Sequence, residues 1–162
     1  MTVPATSLPG LCKGTVFRHF PTKDDLVAAI VLDRVTRLTA LAAELCTAPD
    51  AGAALLEFLR FAARQRQQLD LSFLSGDLGA DVDKAQKAMA LAITELVGHA
   101  RAQGALRPDV TGTDVMLLMC VPGDVVKHLP GAPPDLWERY LAILFDGLRP
   151  EGAHPLPQPP PA

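Results

Sequence analysis

A short basic segment near the start of the sequence, "KGTVFRHFPTK" at residues 13–23, carries the side chains best suited to bind an anion. Lys13, Arg18 and Lys23 give it three positive charges and it contains no acid, whereas the whole chain has a formal net charge of -3. A basic patch on an acidic body suits contact with DNA phosphates. On charge alone, a solvated helix end is the preferred interpretation. The choice between this interpretation and a DNA contact depends on the secondary structure that positions these side chains.

The segment is predicted to form a short helix, a sharp turn and the start of a longer helix. Val16 and Phe20, four residues apart, would face inward and leave the polar side chains outside. A short helix with partners for phosphates and base edges suits the second helix of a helix-turn-helix. Lys23, at the start of the next helix, would add a cation beside free backbone N–H groups and so hold a phosphate.

The patterns after this segment are helical. Thr22 is a good N-cap, and Asp24 and Asp25 follow it in the first turn, which predicts a helix over 22–47. Asp50 is predicted to cap a second helix, with Arg64 and Arg66 on its outer face. The apolar positions predicted to face the core of these two helices are Val27, Val31, Val35, Leu38, Leu45, Leu55, Phe58, Leu59 and Ala62.

The second half of the chain continues this pattern. A long helix is predicted over 81–104, and Thr113 is predicted to cap the next one, in which Pro122 and Gly123 predict a kink or break. The inner face predicted for the last helix is Trp137, Tyr140, Leu141, Leu144 and Leu148. With 49% hydrophobic residues, 5% aromatics and no strand pattern, the 162-residue chain is predicted to be all-α.

Residues 10–23 resemble the recognition helix and following helix of the TetR (tetracycline repressor) family of bacterial transcriptional regulators. Two later stretches, 104–115 and 137–150, resemble the loop before the family's dimerisation helices and its last helix. The positions that match the N-terminal family pattern in order are Gly10, Gly14, Thr15, Val16, Phe17, His19, Phe20, Thr22 and Lys23.

The resemblance implies a homodimeric repressor that acts on a palindromic DNA operator and responds to a small-molecule effector. It implies a DNA-binding region over 1–45 with a recognition helix at about 12–20, a ligand-binding and dimerisation domain over 46–150, and self-association through about 113–129 and 135–148. The residues that would contact DNA are Lys13, Thr15, Phe17, Arg18, His19 and Lys23. Residues 151–162 are predicted to be a disordered, proline-rich tail.

The chain departs from the family pattern before residue 13. Cys12 stands where the family usually has a serine, which weakens the helix cap. The family normally has two further helices ahead of this point, and Pro4 and Pro9 disfavour a continuous helix there. Either the start is placed too far downstream, or the gene is truncated and its DNA binding impaired. The second case leads to the alternative function, a dimeric ligand-binding or interaction module that does not bind DNA.

Large, adaptable apolar side chains are, as a group, candidates for lining an effector pocket, although core packing is the preferred explanation for any one of them. They are Phe58, Phe61, Phe73, Met89, Met116, Met119 and Trp137.

Other functional classes find little support in the sequence. His99, His128 and His154 have no partner at metal-ligand spacing, and no phosphate loop, nucleophile elbow or paired catalytic carboxylates appear, so neither an enzyme nor a cofactor is predicted. Three scattered cysteines, no signal-peptide pattern and no long apolar run predict a cytoplasmic protein without a membrane segment.

Overall fold

The computed structural model describes residues 20–68 and 78–159. These residues form six α-helices and no strand, which confirms the all-α prediction for this part of the chain. The helices are α1 (Lys23–Leu45), α2 (Ala51–Gln68), α3 (Ala80–Ala102), α4 (Gly112–Leu118), α5 (Val121–Val126) and α6 (Leu136–Gly147).

The start of α1 is fixed by a reciprocal pair of hydrogen bonds. The Thr22 hydroxyl accepts from the Asp25 N–H at 3.1 Å, and the Asp25 carboxylate accepts from the Thr22 N–H at 3.0 Å. This capping box satisfies two backbone donors that the helix itself leaves free. The predicted N-cap is therefore confirmed, and the predicted inner face of α1 is buried as far as Leu45.

The cap of α4 is not the predicted one. Thr111 is the N-cap, and it forms a capping box with Asp114, whereas Thr113 lies inside the helix. The reason is the spacing, because a capping box needs an acidic residue three positions after the cap. Thr111 has Asp114 at that distance, and Thr113 has Met116.

The break predicted near Pro122 is present. Helix α4 ends at Leu118 and α5 begins at Val121, so that Pro122 falls in the first turn of α5. Proline lacks the N–H that would bond back to residue 118, and its ring clashes with the preceding turn, so the helix ends one turn before it.

Two clusters of buried side chains hold the helices together. The larger one, here called the main core, joins the second half of α1, α2, the second half of α3, α4 and α6, and includes Phe58, Ile93 and Leu96. The smaller one, here called the valine core, lies between the first halves of α1 and α3 and consists of Val27, Val31, Val35 and Val82. The half-buried Met89 packs against both clusters.

The buried face of α6 differs in part from the prediction. Trp137, Leu141 and Leu148 are buried as expected, and Phe145 completes the face. Tyr140 and Leu144 are only half-buried. The face of α6 that packs on the core therefore follows residues four apart, Trp137, Leu141 and Phe145. The predicted face, which included Tyr140 and Leu144, is turned partly away from the core.

One arginine organises the loop between α3 and α4 and the residues after α6. Arg107 is buried and grips the Asp109 carboxylate with two hydrogen bonds, from Nε at 2.6 Å and Nη2 at 2.8 Å. Its Nη2 also donates to the His154 carbonyl at 2.6 Å, and its backbone N–H donates to the Leu148 carbonyl. Residues 149–159 are exposed, and Arg107 ties them to the body at His154.

Candidate functional site

The predicted DNA-facing residues lie at and before the start of α1. Lys13, Thr15, Phe17, Arg18 and His19 fall outside the described residues. Lys23 is the first residue of α1 and is exposed beside the capped helix N-terminus. An exposed cation next to backbone N–H groups is arranged to bind a phosphate oxygen.

The predicted pocket residues do not form one site. Phe58 and Trp137 are buried in the main core, and Met116 packs on its edge. Phe61 lines a separate groove on the outside of α2, and Phe73 lies outside the described residues. The structure brings together two of the seven, Met89 and Met119, in one cavity.

This cavity, here called the Met89 cavity, has a volume of about 220 Å³ and lies between α1, α2, α3 and the turn after α4. Its polar lining consists of Arg34 from α1, Arg66 from α2 and Gln86 from α3. Its apolar lining consists of Val31, Val35, Leu38, Leu78, Met89 and Met119. A mainly apolar cavity with a few polar groups is typical of sites for small organic molecules.

Arg66 is the lining residue that the sequence placed wrongly. It was predicted on the outer face of α2, but its side chain is only 21% exposed, and its Nη2 contacts the Asp124 carboxylate of α5 at 3.2 Å. The close approach of α5 explains this burial, because a Cβ on Gly123 would lie 2.5 Å from Nε2 of the neighbouring Gln67. The contact is between distant parts of the chain, and no local pattern predicts it.

The Arg66 Nε–H has no hydrogen-bond acceptor although it is buried, and no other buried side-chain nitrogen or oxygen of the described residues is left in this way. A buried donor without an acceptor costs about 1–3 kcal/mol relative to a paired one. Nε therefore provides an unused donor on a residue that lines the cavity.

Asp124 is held ionised by the cations around it. Its pKa lies below the ordinary value, first because Lys127 donates a hydrogen bond to it at 3.0 Å, and second because of the positive charge of Arg66. Desolvation opposes this shift. The carboxylate therefore remains charged near neutral pH and holds Arg66 against α5.

The groove that contains Phe61, here called the Phe61 groove, is larger, at about 490 Å³, and more highly charged. Glu57, Arg60 and Arg64 line it, and Arg64 contacts Glu138 of α6 at 3.5 Å. No polar side-chain atom described in this groove is buried without a partner. The Met89 cavity is therefore the better candidate for a specific ligand site.

Residues 20–68 and 78–159 contain neither a candidate metal cluster nor a membrane-spanning helix. These residues contain no group of three or more His, Cys, Asp or Glu side chains placed to hold a metal ion. None of their helices is both long enough and apolar enough to cross a membrane.

The known proteins that are similar to this chain are described as transcriptional regulators. The family model described as the C-terminal domain of SbtR-like transcriptional regulators, within the TetR group, matches residues 50–150, which is more than half of the chain. No curated protein matches.

Two solved structures are similar over most of their length. A TetR transcription regulatory protein from Mycobacterium vanbaalenii has 30% sequence identity and a TM-score of 0.56, over 84% of this chain and 75% of its own. The TetR transcriptional regulator SCO0520 from Streptomyces coelicolor has 25% identity and a TM-score of 0.61, over 86% of this chain and 82% of its own. These relatives are regulators of transcription, and this chain belongs to the TetR family of transcriptional regulators.

Proposed function

We propose that the protein is a ligand-responsive repressor that acts as a homodimer on a palindromic operator, and that it binds rather than catalyses. The observation that carries this proposal is the position of α1. Its first residue, Lys23, is the last residue of the basic segment 13–23, and four of its residues line the Met89 cavity. A ligand in the cavity would therefore act on the same helix that holds the DNA-facing segment. Such a regulator acts where bacterial DNA lies, in the cytoplasm.

The exposed apolar side chains support the proposed dimer. Six large hydrophobic residues are strongly exposed among those described, and four of them fall in the ranges 113–129 and 135–148 that were predicted to self-associate. These four are Leu117, Val125, Leu129 and Ile143. Exposed apolar side chains concentrated on a few elements are typical of an interface.

DNA binding is tested by titrating the chain, and a version extended in frame upstream, against DNA from the region before its own gene at several salt concentrations. Three cations per protomer at phosphates predict a dimer slope of log affinity against log salt of about -5. Lys23→Ala is expected to make this slope shallower by about two, because each protomer loses one phosphate contact. Lys87→Ala, an exposed lysine of the body, is the matched control and is expected to leave the slope unchanged.

The outcomes separate the two candidate functions. Specific binding by the extended chain alone would indicate a misplaced start, and binding by both versions would indicate that the shorter chain suffices. If neither version binds DNA while the protein remains a folded dimer, the repressor proposal is wrong. The family model covers residues 50–150 and not the basic segment, so the remaining function would then be that of a ligand-binding or interaction module.

The dimer is tested by measuring the molar mass in solution by light scattering. Ile143→Asp places a charge at an exposed apolar position of α6 and is expected to shift the protein from dimer to monomer. Leu91→Asp is the matched control, since Leu91 is exposed on α3 outside both predicted ranges. Equal behaviour of the two variants would contradict the assigned interface.

A further inference from the structure

Arg107 and Arg66 both donate to a carboxylate through Nη2, but of these two only Arg107 also donates through Nε. Arg107 uses both Nε and Nη2 on one carboxylate, that of Asp109. Arg66 uses Nη2 on Asp124 at 3.2 Å, while its Nε is buried and has no acceptor. Nε and Nη2 point in nearly parallel directions and together match the two oxygens of a carboxylate. The fork of Arg66 is therefore half-occupied.

The unused half of this fork belongs to a residue that lines the Met89 cavity. Among the described residues, the polar side chains that line this cavity are Arg34, Arg66 and Gln86, and none of these three is an acid. Asp124 lies beyond Arg66 on α5 and is itself bound by Lys127. An acceptor with negative charge is the group that this arrangement favours.

The cavity also limits the size of its ligand. Its volume of about 220 Å³ is smaller than the ~300–1,000 Å³ of sites for drug-sized molecules. It is larger than the roughly 150 Å³ cavity that is sufficient for benzene. Valine, leucine and methionine side chains form its apolar lining, which suits a single ring or a short branched chain.

From these observations we infer that the Met89 cavity binds a small monocarboxylic acid with one ring or a short branched apolar group, whose carboxylate accepts a hydrogen bond from Nε of Arg66. This inference deepens the proposed function, because it names the chemical class of the effector. The ligand carboxylate takes the donor that Asp124 leaves unused, and the apolar group of the ligand adds contacts to α1.

The inference is tested by isothermal titration calorimetry of the full chain, without DNA, with benzoate and its neutral analogue benzamide. Benzoate is expected to bind saturably with a Kd of about 1 mM or tighter, and benzamide at least about tenfold more weakly. Arg66→Gln is expected to reduce the benzoate affinity by about tenfold or more and to abolish the preference over benzamide. Arg64→Gln, on the exposed side of the same helix, is the matched control. It is expected to retain the benzoate affinity and the preference for benzoate over benzamide.

A second pair of variants tests the location of the site without changing a charge. Met89→Trp fills the cavity and is expected to abolish benzoate binding, whereas Leu91→Trp places the same side chain on the exposed face of α3 and is expected to preserve it. Circular dichroism of each variant establishes that the helices are retained. The inference is overturned if wild-type protein does not bind benzoate, if benzamide binds equally well, or if folded Arg66→Gln or Met89→Trp binds as wild type does.

The same measurements distinguish this inference from the proposed function. Binding of benzoate without any effect on operator affinity would support the carboxylate site and contradict ligand-responsive regulation through it. Salt-dependent operator binding by a chain that shows no benzoate binding would support the DNA-binding part of the proposal and overturn the carboxylate site.

Discussion

The main core and the valine core both pack along α3, but they enclose their side chains to different degrees. In the main core, Phe58 and Ile93 are 0% exposed, because this cluster contains side chains from α1, α2, α3, α4 and α6. In the valine core, Val27 and Val31 keep 9% and 8% exposure, and the described residues that are buried there come from α1 and α3. Two helices can meet along one seam, but they cannot enclose a volume.

The comparison shows how stability is distributed in the molecule. The end of α1 that follows the DNA-facing segment rests on the valine core, and the other end is anchored in the main core through Leu38, Ala42 and Leu45. Regions with fewer buried apolar contacts open at a lower free energy than the rest of a domain. The element proposed to respond to a ligand is therefore attached more weakly at the end where its movement would affect DNA.

The largest expected difference between the cores comes from truncating one side chain in each. Phe58→Ala should lower the free energy of unfolding by roughly 3–5 kcal/mol, because it leaves a large cavity in the fully enclosed main core. Val31→Ala should lower it by about 1–2 kcal/mol, because fewer atoms are removed and the site is partly open. Urea denaturation followed by circular dichroism measures both. A loss at Val31 as large as the loss at Phe58 would contradict the weaker enclosure of the valine core.

The second-largest expected change in stability comes from the close approach of α4 to α3 at Gly112. A Cβ on Gly112 would lie 2.5 Å from Oγ1 and 3.0 Å from Cα of Thr94, where α4 meets α3. Gly112→Ala should therefore destabilise the protein by roughly 1–3 kcal/mol. Gly98→Ala has no atom within 4 Å of the new Cβ and should stabilise α3 by about 0.5–1 kcal/mol. Thermal unfolding of both variants checks the prediction, which fails if their Tm values shift in the same direction.

The two capping boxes provide a smaller test. Thr22→Ala and Thr111→Ala each remove an N-cap that contributes about 1 kcal/mol to stability. At Thr22 the loss should appear mainly as faster amide exchange in the first turn of α1, because the valine core tolerates local opening. At Thr111 it should appear as a loss of global stability, because Val115 in α4 is fully buried. Hydrogen exchange and urea denaturation together measure the contrast, and identical profiles for the two variants would contradict it.

The smallest expected effect is a pH dependence at Arg107. Its hydrogen bonds hold the pKa of Asp109 below the ordinary value of 3.8. A carboxyl with a lowered pKa adds stability above its unfolded pKa of ~3.9, and this contribution is lost as the pH falls through the lower, folded value. Wild type should therefore be more stable than Asp109→Asn by a constant margin above about pH 5, and the margin should shrink below pH ~4. Urea denaturation at several pH values measures it, and a margin that does not change with pH would refute the assignment.

The features that depend on local spacing could be read from the sequence. The cap at Thr22 and the buried positions Val27, Val31 and Val35 follow from a hydroxyl before two acids and from apolar residues four apart. The cap at Thr111 was equally accessible, because Asp114 stands three positions after it. Only the spacing rule had to be applied to decide between Thr111 and Thr113.

The candidate site depends on contacts that local spacing does not contain. Arg66 is half-buried because α5 approaches α2 closely at Gly123, and this approach depends on where the chain returns after 57 intervening residues. The Met89 cavity is the space that four elements leave between them, so each lining residue could be classified as apolar or charged but not assigned to a cavity. Met89 and Met119 were named as pocket candidates for their adaptability, and the same argument named Phe58, which is buried in the main core.

The length of α1 converts small rotations into large displacements. Its 23 residues span about 34 Å at 1.5 Å per residue. If the helix pivots at Leu45, a tilt of about 5° moves the Cα atom of Lys23 by about 3 Å, close to the 3.4 Å rise between successive base pairs. A change in the valine core that leaves the main core undisturbed would thus suffice to move the proposed phosphate contact of Lys23 by nearly one base-pair step.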